Sequence, residues 1–171
     1  MTTARFPIDG SRDASWMATA AAAPETSPLQ GSSSCDVAIV GGGLTGTSAA
    51  LELVVRGVSA TVLEAASVGF GASGRSGGQV NPGLNEGPSA LLRRFGAERG
   101  RRLIELVVNT PHEVFELFCA AAGSVQPLSY TRELARVAPG RGARIHDHSA
   151  VTGLERAGRR WAGCSPRPTG R

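Results

Sequence analysis

Cysteine is scarce in this chain. Cys35, Cys119 and Cys164 are the only three in 171 residues, and no two form a C-x-x-C pair. So odd and scattered a set argues against a disulfide framework or a zinc knuckle, and the simplest expectation is a reduced, cytoplasmic setting. No apolar run approaches the ~20 residues of a membrane span, although 41% of the chain is hydrophobic. No secretory signal is expected either. The run Ala18-Thr19-Ala20-Ala21-Ala22-Ala23 is short, follows Asp9 and Asp13, and stops at Pro24. No twin-arginine motif and no internal repeat are evident. His146 and His148 can share one face of a strand, but no third ligand stands nearby, so no metal site is expected. The net charge of +4 comes mainly from arginine. Its densest cluster, Arg93, Arg94, Arg99, Arg101 and Arg102, reads as a solvated helix face, so no nucleic-acid partner is expected.

Glycine is in excess, at 23 residues against an average near 7%. Much of it lies between Gly41 and Gly87. Gly41-Gly42-Gly43-Leu44-Thr45-Gly46 directly follows the apolar run Asp36-Val37-Ala38-Ile39-Val40 and opens a helical pattern. A lone G-x-G-x-x-G is weak, but here it sits between a strand and a helix, and Glu64 ends the next strand, Ala60-Thr61-Val62-Leu63. Gly41 lets the chain turn out of the strand. Gly43 has no Cβ, so a pyrophosphate can approach the backbone. Gly46 lets the helix pack close to the strand. The helix N-terminus, with Leu44 and Thr45, then offers N–H groups to phosphate. A carboxylate at Glu64 accepts from ribose hydroxyls and repels a 2′-phosphate, which favours FAD or NAD over NADP.

The length sets a prior of one domain with a small appendage. Residues 1–34 read as an irregular leader. Residues 35–88 are a β-α-β dinucleotide-binding unit followed by a glycine-rich loop. The intervening helix shows an apolar stripe at Leu44, Ser48, Leu51, Val54 and Val55, and Gly57 stops it. Residues 89–123 form a helical segment in which Pro111 introduces a kink or a second helix capped by Thr110. Residues 124–164 contain a helix over 128–138, ended by Pro139-Gly140, and then strands near 143–146, 150–154 and 160–164, with Ala157-Gly158 turning between the last two. Residues 165–171 read as a disordered tail.

The glycine fingerprint resembles the opening of the D-amino-acid-oxidase-like FAD-dependent oxidoreductases. A second block, Gly69-Phe70-Gly71-Ala72-Ser73-Gly74-Arg75-Ser76-Gly77-Gly78-Gln79-Val80-Asn81-Pro82-Gly83, is similar to that of the gamma-glutamylputrescine oxidase-like branch. It separates this family from nicotinamide dehydrogenases. The leader Ser15-Trp16-Met17-Ala18-Thr19-Ala20 and the stretch from Gln126-Pro127-Leu128-Ser129-Tyr130 to Glu155 are similar as well.

The resemblance implies an α/β, Rossmann-like FAD-binding domain. It implies that Ala72, Ser73, Gly77, Gly78 and Gln79 lie along the pyrophosphate, ribityl chain and flavin ring. Val151 or its neighbour would meet the adenine through its backbone. Arg75 faces phosphate or flavin, or is a surface loop charge. The implied reaction is oxidation of a C–N bond in an amine or amino-acid substrate, with dioxygen as a common electron acceptor. The cofactor carries that chemistry, so no acid–base dyad need appear and no catalytic residue is assigned.

Relatives hold much of a substrate domain between the helical region and the Gln126–Tyr130 stretch. Here Cys119-Ala120-Ala121-Ala122-Gly123 runs almost straight into Ser124-Val125-Gln126. The expectation is therefore an incomplete FAD-binding domain with most of the substrate domain missing, from an internally deleted and truncated family member. The alternative function is a catalytically inactive nucleotide-binding fragment.

Overall fold

The computed structural model describes residues 15–80, 86–118, 125–158 and 160–164. The expected tail, the leader before Ser15, and the junction at residues 119–124 lie outside them. The chain divides into two compact units, one of residues 1–76 with 126–171 and one of residues 77–125. The division falls between Ser76 and Gly77, inside the glycine-rich stretch.

The first unit is built on a parallel sheet of β1 (Val37–Val40), β2 (Ala60–Leu63) and β3 (Arg144–His146), in the order β1-β2-β3. Val37 to Val40 pair in register with Ala60 to Leu63, and Thr61 to Leu63 pair with Arg144 to His146. Every residue of β2 is buried, as a central parallel strand with both faces covered requires. Its sequence, Ala-Thr-Val-Leu, accordingly shows no polar alternation. This is the α/β, Rossmann-like architecture that the fingerprint predicts.

Helix α1 (Leu44–Val55) links β1 to β2, and α4 (Pro127–Gly140) precedes β3. The two helices pack against each other. Their contact uses small side chains: Ala50 of α1 and Ala135 and Ala138 of α4 are fully buried beside Val62 and Ile145. The apolar stripe expected on α1 is therefore corrected. Gly46, Thr47 and Ala50 are its buried residues, whereas Val55 is 60% exposed. A period search weighted to large side chains finds Leu51 and Val54, which are partly buried at the margin; helices that approach closely need small residues at the centre of contact. Pro127 occupies the first turn of α4, and the Gln126 side chain accepts from Ser129 N–H at 2.6 Å, an N-terminal cap. Pro139 and Gly140 do not end the helix; they form its last turn.

Residues 15–34 hold only a 3-10 turn at Ser15–Ala18, yet the main chain of residues 27–34 is bonded along β3 and its sequel. The Arg144 guanidinium donates to Ser34 O, Ser149 Oγ accepts from Leu29 N–H at 2.8 Å, and His146 Nδ1 lies 3.0 Å from Ser27 O. The segment lacks regular structure because side chains, not a backbone ladder, satisfy it.

After β3, the strands β4 (Gly153–Ala157) and β5 (Arg160–Cys164) form an antiparallel hairpin. The strand expected at 150–154 begins three residues later than its predicted start. In the second unit, α2 (Pro88–Phe95) and α3 (Ala97–Phe118) are separated at Gly96, which has φ of 80°. Pro111 falls inside α3, so the predicted break lies instead at Gly96, where a left-handed residue ends a helix.

Asp36 ties the start of β1 to the turn before β2. Its Oδ2 accepts from Ser59 N–H at 3.0 Å and from Ser59 Oγ–H at 2.7 Å. These bonds hold its carboxyl below the ordinary carboxylate range. A carboxylate with a depressed folded pKa stabilises the fold above its unfolded pKa, and that stability disappears as pH falls through the folded value. The stability advantage of wild type over Asp36→Asn, read by thermal melts from pH 6 downward, is expected to shrink below about pH 4. A constant difference across the range would contradict the bonding described.

Candidate functional site

The fingerprint glycines leave the end of β1 and enter α1. Gly41 has φ of 105°, which a side chain rarely tolerates. A Cβ on Gly46 would stand 2.0 Å from Gly41 O and 3.3 Å from Ile39 Cγ2, so close packing of the helix on the strand end demands glycine there. A Cβ on Gly43 would lie 2.8 Å from Ser73 Oγ. That serine belongs to the 3-10 turn Ala72–Gly74, and its Oγ accepts from Leu44 N–H at 2.9 Å. Ser73 therefore caps α1 from another segment of the chain. The N–H groups of Thr45 and Gly46 are the next two that an α-helix leaves without internal partners.

Glu64 anchors the loop from β2. Its Oε2 accepts from Gly42 N–H at 2.6 Å and its Oε1 from Ala66 N–H at 2.9 Å. Each oxygen retains a further lone pair, so acceptance from a ribose hydroxyl remains open to it. The chain after β3 closes the same strand end: Glu64 N–H donates to His146 O at 2.8 Å, Ser149 N–H to Glu64 O at 2.7 Å and His148 N–H to Ala66 O at 2.8 Å. Val151 is half-buried two residues beyond Ser149.

A cleft of about 290 Å³ opens at the carboxyl end of β1, lined by Val40, Gly41, Gly43, Thr45, Ala49 and Ser73 among others. Ligands of open α/β sheets bind outside the carboxyl ends of the strands. The volume is at the low end for small-molecule sites, the scale of part of a dinucleotide. None of its lining groups is titratable.

The structure thus brings Gly41, Gly43, Leu44, Thr45, Gly46, Glu64 and Ser73 together in one unit. Ala72 is exposed on the same turn as Ser73. Arg75 is exposed, and its guanidinium carbon lies 4.5 Å from the Phe70 ring centroid. Gly77, Gly78 and Gln79 belong to the second unit, where Gly78 O accepts from Val125 N–H at 2.8 Å. Sequence reasoning missed Ala66, Leu128 and Ala49. The first acts through its backbone and carries no side-chain signal. Leu128 looks like any core leucine. Ala49 shows itself only as a small residue one helical turn after Thr45.

Residues 36–117 match the family of FAD dependent oxidoreductases (DAO). That stretch is 82 of the 171 residues, just under half of the chain. The chain is 43% identical over 83 residues to the probable oxidoreductase OrdL of Haemophilus influenzae, covering 48% of this chain and 19% of that protein. It is 44% identical over 75 residues to the gamma-glutamylputrescine oxidoreductase of Escherichia coli, covering 44% of this chain and 18% of that one. The chain thus spans less than a fifth of the length of these curated relatives. Among solved structures, the L-amino acid deaminase from Proteus myxofaciens superposes with a TM-score of 0.55 at 24% identity, over 81% of this chain and 43% of that one; this likeness shows the fold. The cofactor that goes with the family is FAD. Among the described residues no helix is long and apolar enough to cross a membrane.

Gly46→Ala places its methyl against a main-chain oxygen that cannot yield without moving the loop. It is expected to cost about 1–3 kcal/mol of stability, the usual range for overpacking, measured by urea unfolding. An unchanged midpoint would show that the loop has room the structure denies it.

Proposed function

We propose that this chain carries the FAD-binding part of an oxidoreductase acting on a C–N bond of an amine or amino acid. The observation that supports it most is the paired arrangement at α1: a glycine cradle facing Ser73, with the loop held from behind by Glu64. The residues present fit the group. Gly43 keeps the backbone open to a pyrophosphate, Thr45 and Gly46 N–H groups face it with the helix dipole behind them, and Ser73 Oγ–H is free to donate while it accepts from Leu44. Glu64 would take ribose hydroxyls on its remaining lone pairs. Ala72 and Arg75 continue the same loop, and Gly77, Gly78 and Gln79 would meet the flavin half. Val151 would meet the adenine through its backbone. FAD, when bound, supplies the acceptor for a hydride equivalent from the carbon next to nitrogen, which leaves an imine for water to hydrolyse. Dioxygen would serve as the final electron acceptor.

A second reading is a nucleotide-binding segment without turnover. It is favoured by the cleft itself, which is lined by glycine, small and aliphatic groups and no acid or base. That lining suits the passive, phosphate-side half of a dinucleotide site, not a substrate pocket.

A visible absorbance spectrum of the purified protein, followed by FAD titration, tests the binding claim, and an amine and amino-acid screen separates the two readings. Uptake of FAD with substrate-dependent bleaching is expected on the first, and uptake without bleaching on the second. A folded protein that takes up no FAD would overturn both.

The role of Gly43 is separable from that of its neighbour. Gly43→Ala alone strikes Ser73 Oγ, whereas in Gly43→Ala/Ser73→Ala the nearest remaining atom, the residue 73 Cβ, stands 3.7 Å away. Against Ser73→Ala alone, which already lacks the hydroxyl, the double variant should bind FAD at least about tenfold more weakly, since a methyl then faces the phosphates. Equal affinity in the double variant and in Ser73→Ala would remove the pyrophosphate from Gly43.

A further inference from the structure

Residues 16–22 contact α4 and the residue before it, and they do so through an unusual set of groups. Arg132 of α4 is only 7% exposed. Among the described residues its guanidinium pairs with no carboxylate. One terminal nitrogen donates to Ala21 O, the other lies 3.7 Å from Met17 Sδ, and its Nε is buried without a partner. Burial pushes its pKa below the ordinary arginine value, and the nearby Arg136 charge adds to this. One turn later, Arg136 donates to Ala22 O at 2.7 Å. At the helix start, Gln126 Nε2 donates to Trp16 O at 2.9 Å, and Ser129 Oγ accepts from Ala21 N–H at 2.9 Å. A buried, incompletely paired charge is weak evidence for stability. What these groups do achieve is to fix one short stretch of main chain at both ends.

The fixed stretch delivers one further contact. Trp16 Nε1–H donates to Ser76 O at 2.7 Å. Ser76 ends the loop that carries Ser73. Leu128 Cδ1 packs on the same loop, lying 2.7 Å and 3.3 Å from where Cβ atoms on Gly69 and Gly74 would stand. The loop's first residue is tied to the fingerprint by Gly69 N–H donating to Gly42 O at 3.0 Å.

We propose that residues 16–22 are a positioning arm for loop 69–76, and that Trp16 is the positioning residue through which the arm sets Ser73 against the N-terminus of α1. The claim about the loop stands on this geometry alone. Its consequence for FAD rests on the functional reading above.

The test compares wild type with Trp16→Phe, which keeps an aromatic ring and deletes the donor. Three readouts are needed: hydrogen exchange by mass spectrometry over 69–76 and over β1 and β2, the melting temperature, and the FAD dissociation constant. Exchange over 69–76 is expected to rise about fivefold, the factor that one ordinary hydrogen bond represents. Exchange over β1 and β2 and the melting temperature should stay as in wild type, and FAD should bind more weakly by a similar factor. Arg136→Met, which frees the Ala22 carbonyl from a half-exposed side chain, is the second variant and should move the same segment. Unchanged exchange over 69–76 overturns the proposal. So does a rise spread equally over β1 and β2 in both variants, which would mean general destabilisation. Equal FAD affinity in wild type and Trp16→Phe, with exchange over 69–76 raised, overturns the consequence for FAD. If wild type takes up no FAD while exchange over 69–76 rises selectively, the arm stands and the cofactor reading fails.

Discussion

One carboxylate organises this molecule. Glu64 sits at the end of the fully buried central strand and divides its two oxygens between Gly42 N–H and Ala66 N–H. A carboxylate accepting backbone amides forms charge-assisted bonds about twice as strong as neutral ones. Both partners are main-chain groups in loops, where no ladder would otherwise restrain them. The glycine loop therefore takes its shape from β2, and β2 takes its position from strands on both sides. The Gly41–Gly46 turn, the Ser73 cap and the segment after β3 all meet at that strand end.

Much of this was legible in the sequence because it rests on glycine and on local order. Gly41, Gly43 and Gly46 announce a strand leaving into a helix, and Ala60 to Leu63 followed by Glu64 announces the second strand. These signals survive without knowledge of any partner. Gly43 was legible for an incomplete reason. A pyrophosphate is one argument for a missing Cβ, and the hydroxyl of Ser73, already 2.8 Å from that point, is another. The pattern of residue types cannot separate the two, since both are close approaches.

What was not legible shares a cause. The buried face of α1 is glycine, threonine and alanine, and the facing side of α4 is alanine, so the contact has almost no hydrophobic contrast for a period search to find. The stretch before Cys35 looked irregular because it is irregular; its order comes from arginine, glutamine and serine side chains more than a hundred residues away. Such long-range side-chain bonds to main chain leave no trace in local composition. Gly96 was readable in principle as a helix stop, and Pro111 drew attention away from it.

The first unit is discontinuous, and this has a consequence for how such chains vary. Arg144 of β3 reaches Thr61 of β2 across 83 residues, and residues 77–125 lie wholly outside that unit. The entropy of closing a loop grows only with the logarithm of its length, about 0.6 kcal/mol for each doubling. The excursion between Ser76 and Gln126 can therefore lengthen or shorten greatly while the β2–β3 pairing survives. A single methyl added at Gly46 meets the Gly41 main-chain oxygen at once. Length is cheap at one point of this fold and volume is forbidden at another, so divergence in such a fold should accumulate in the excursion while the turn into α1 stays fixed.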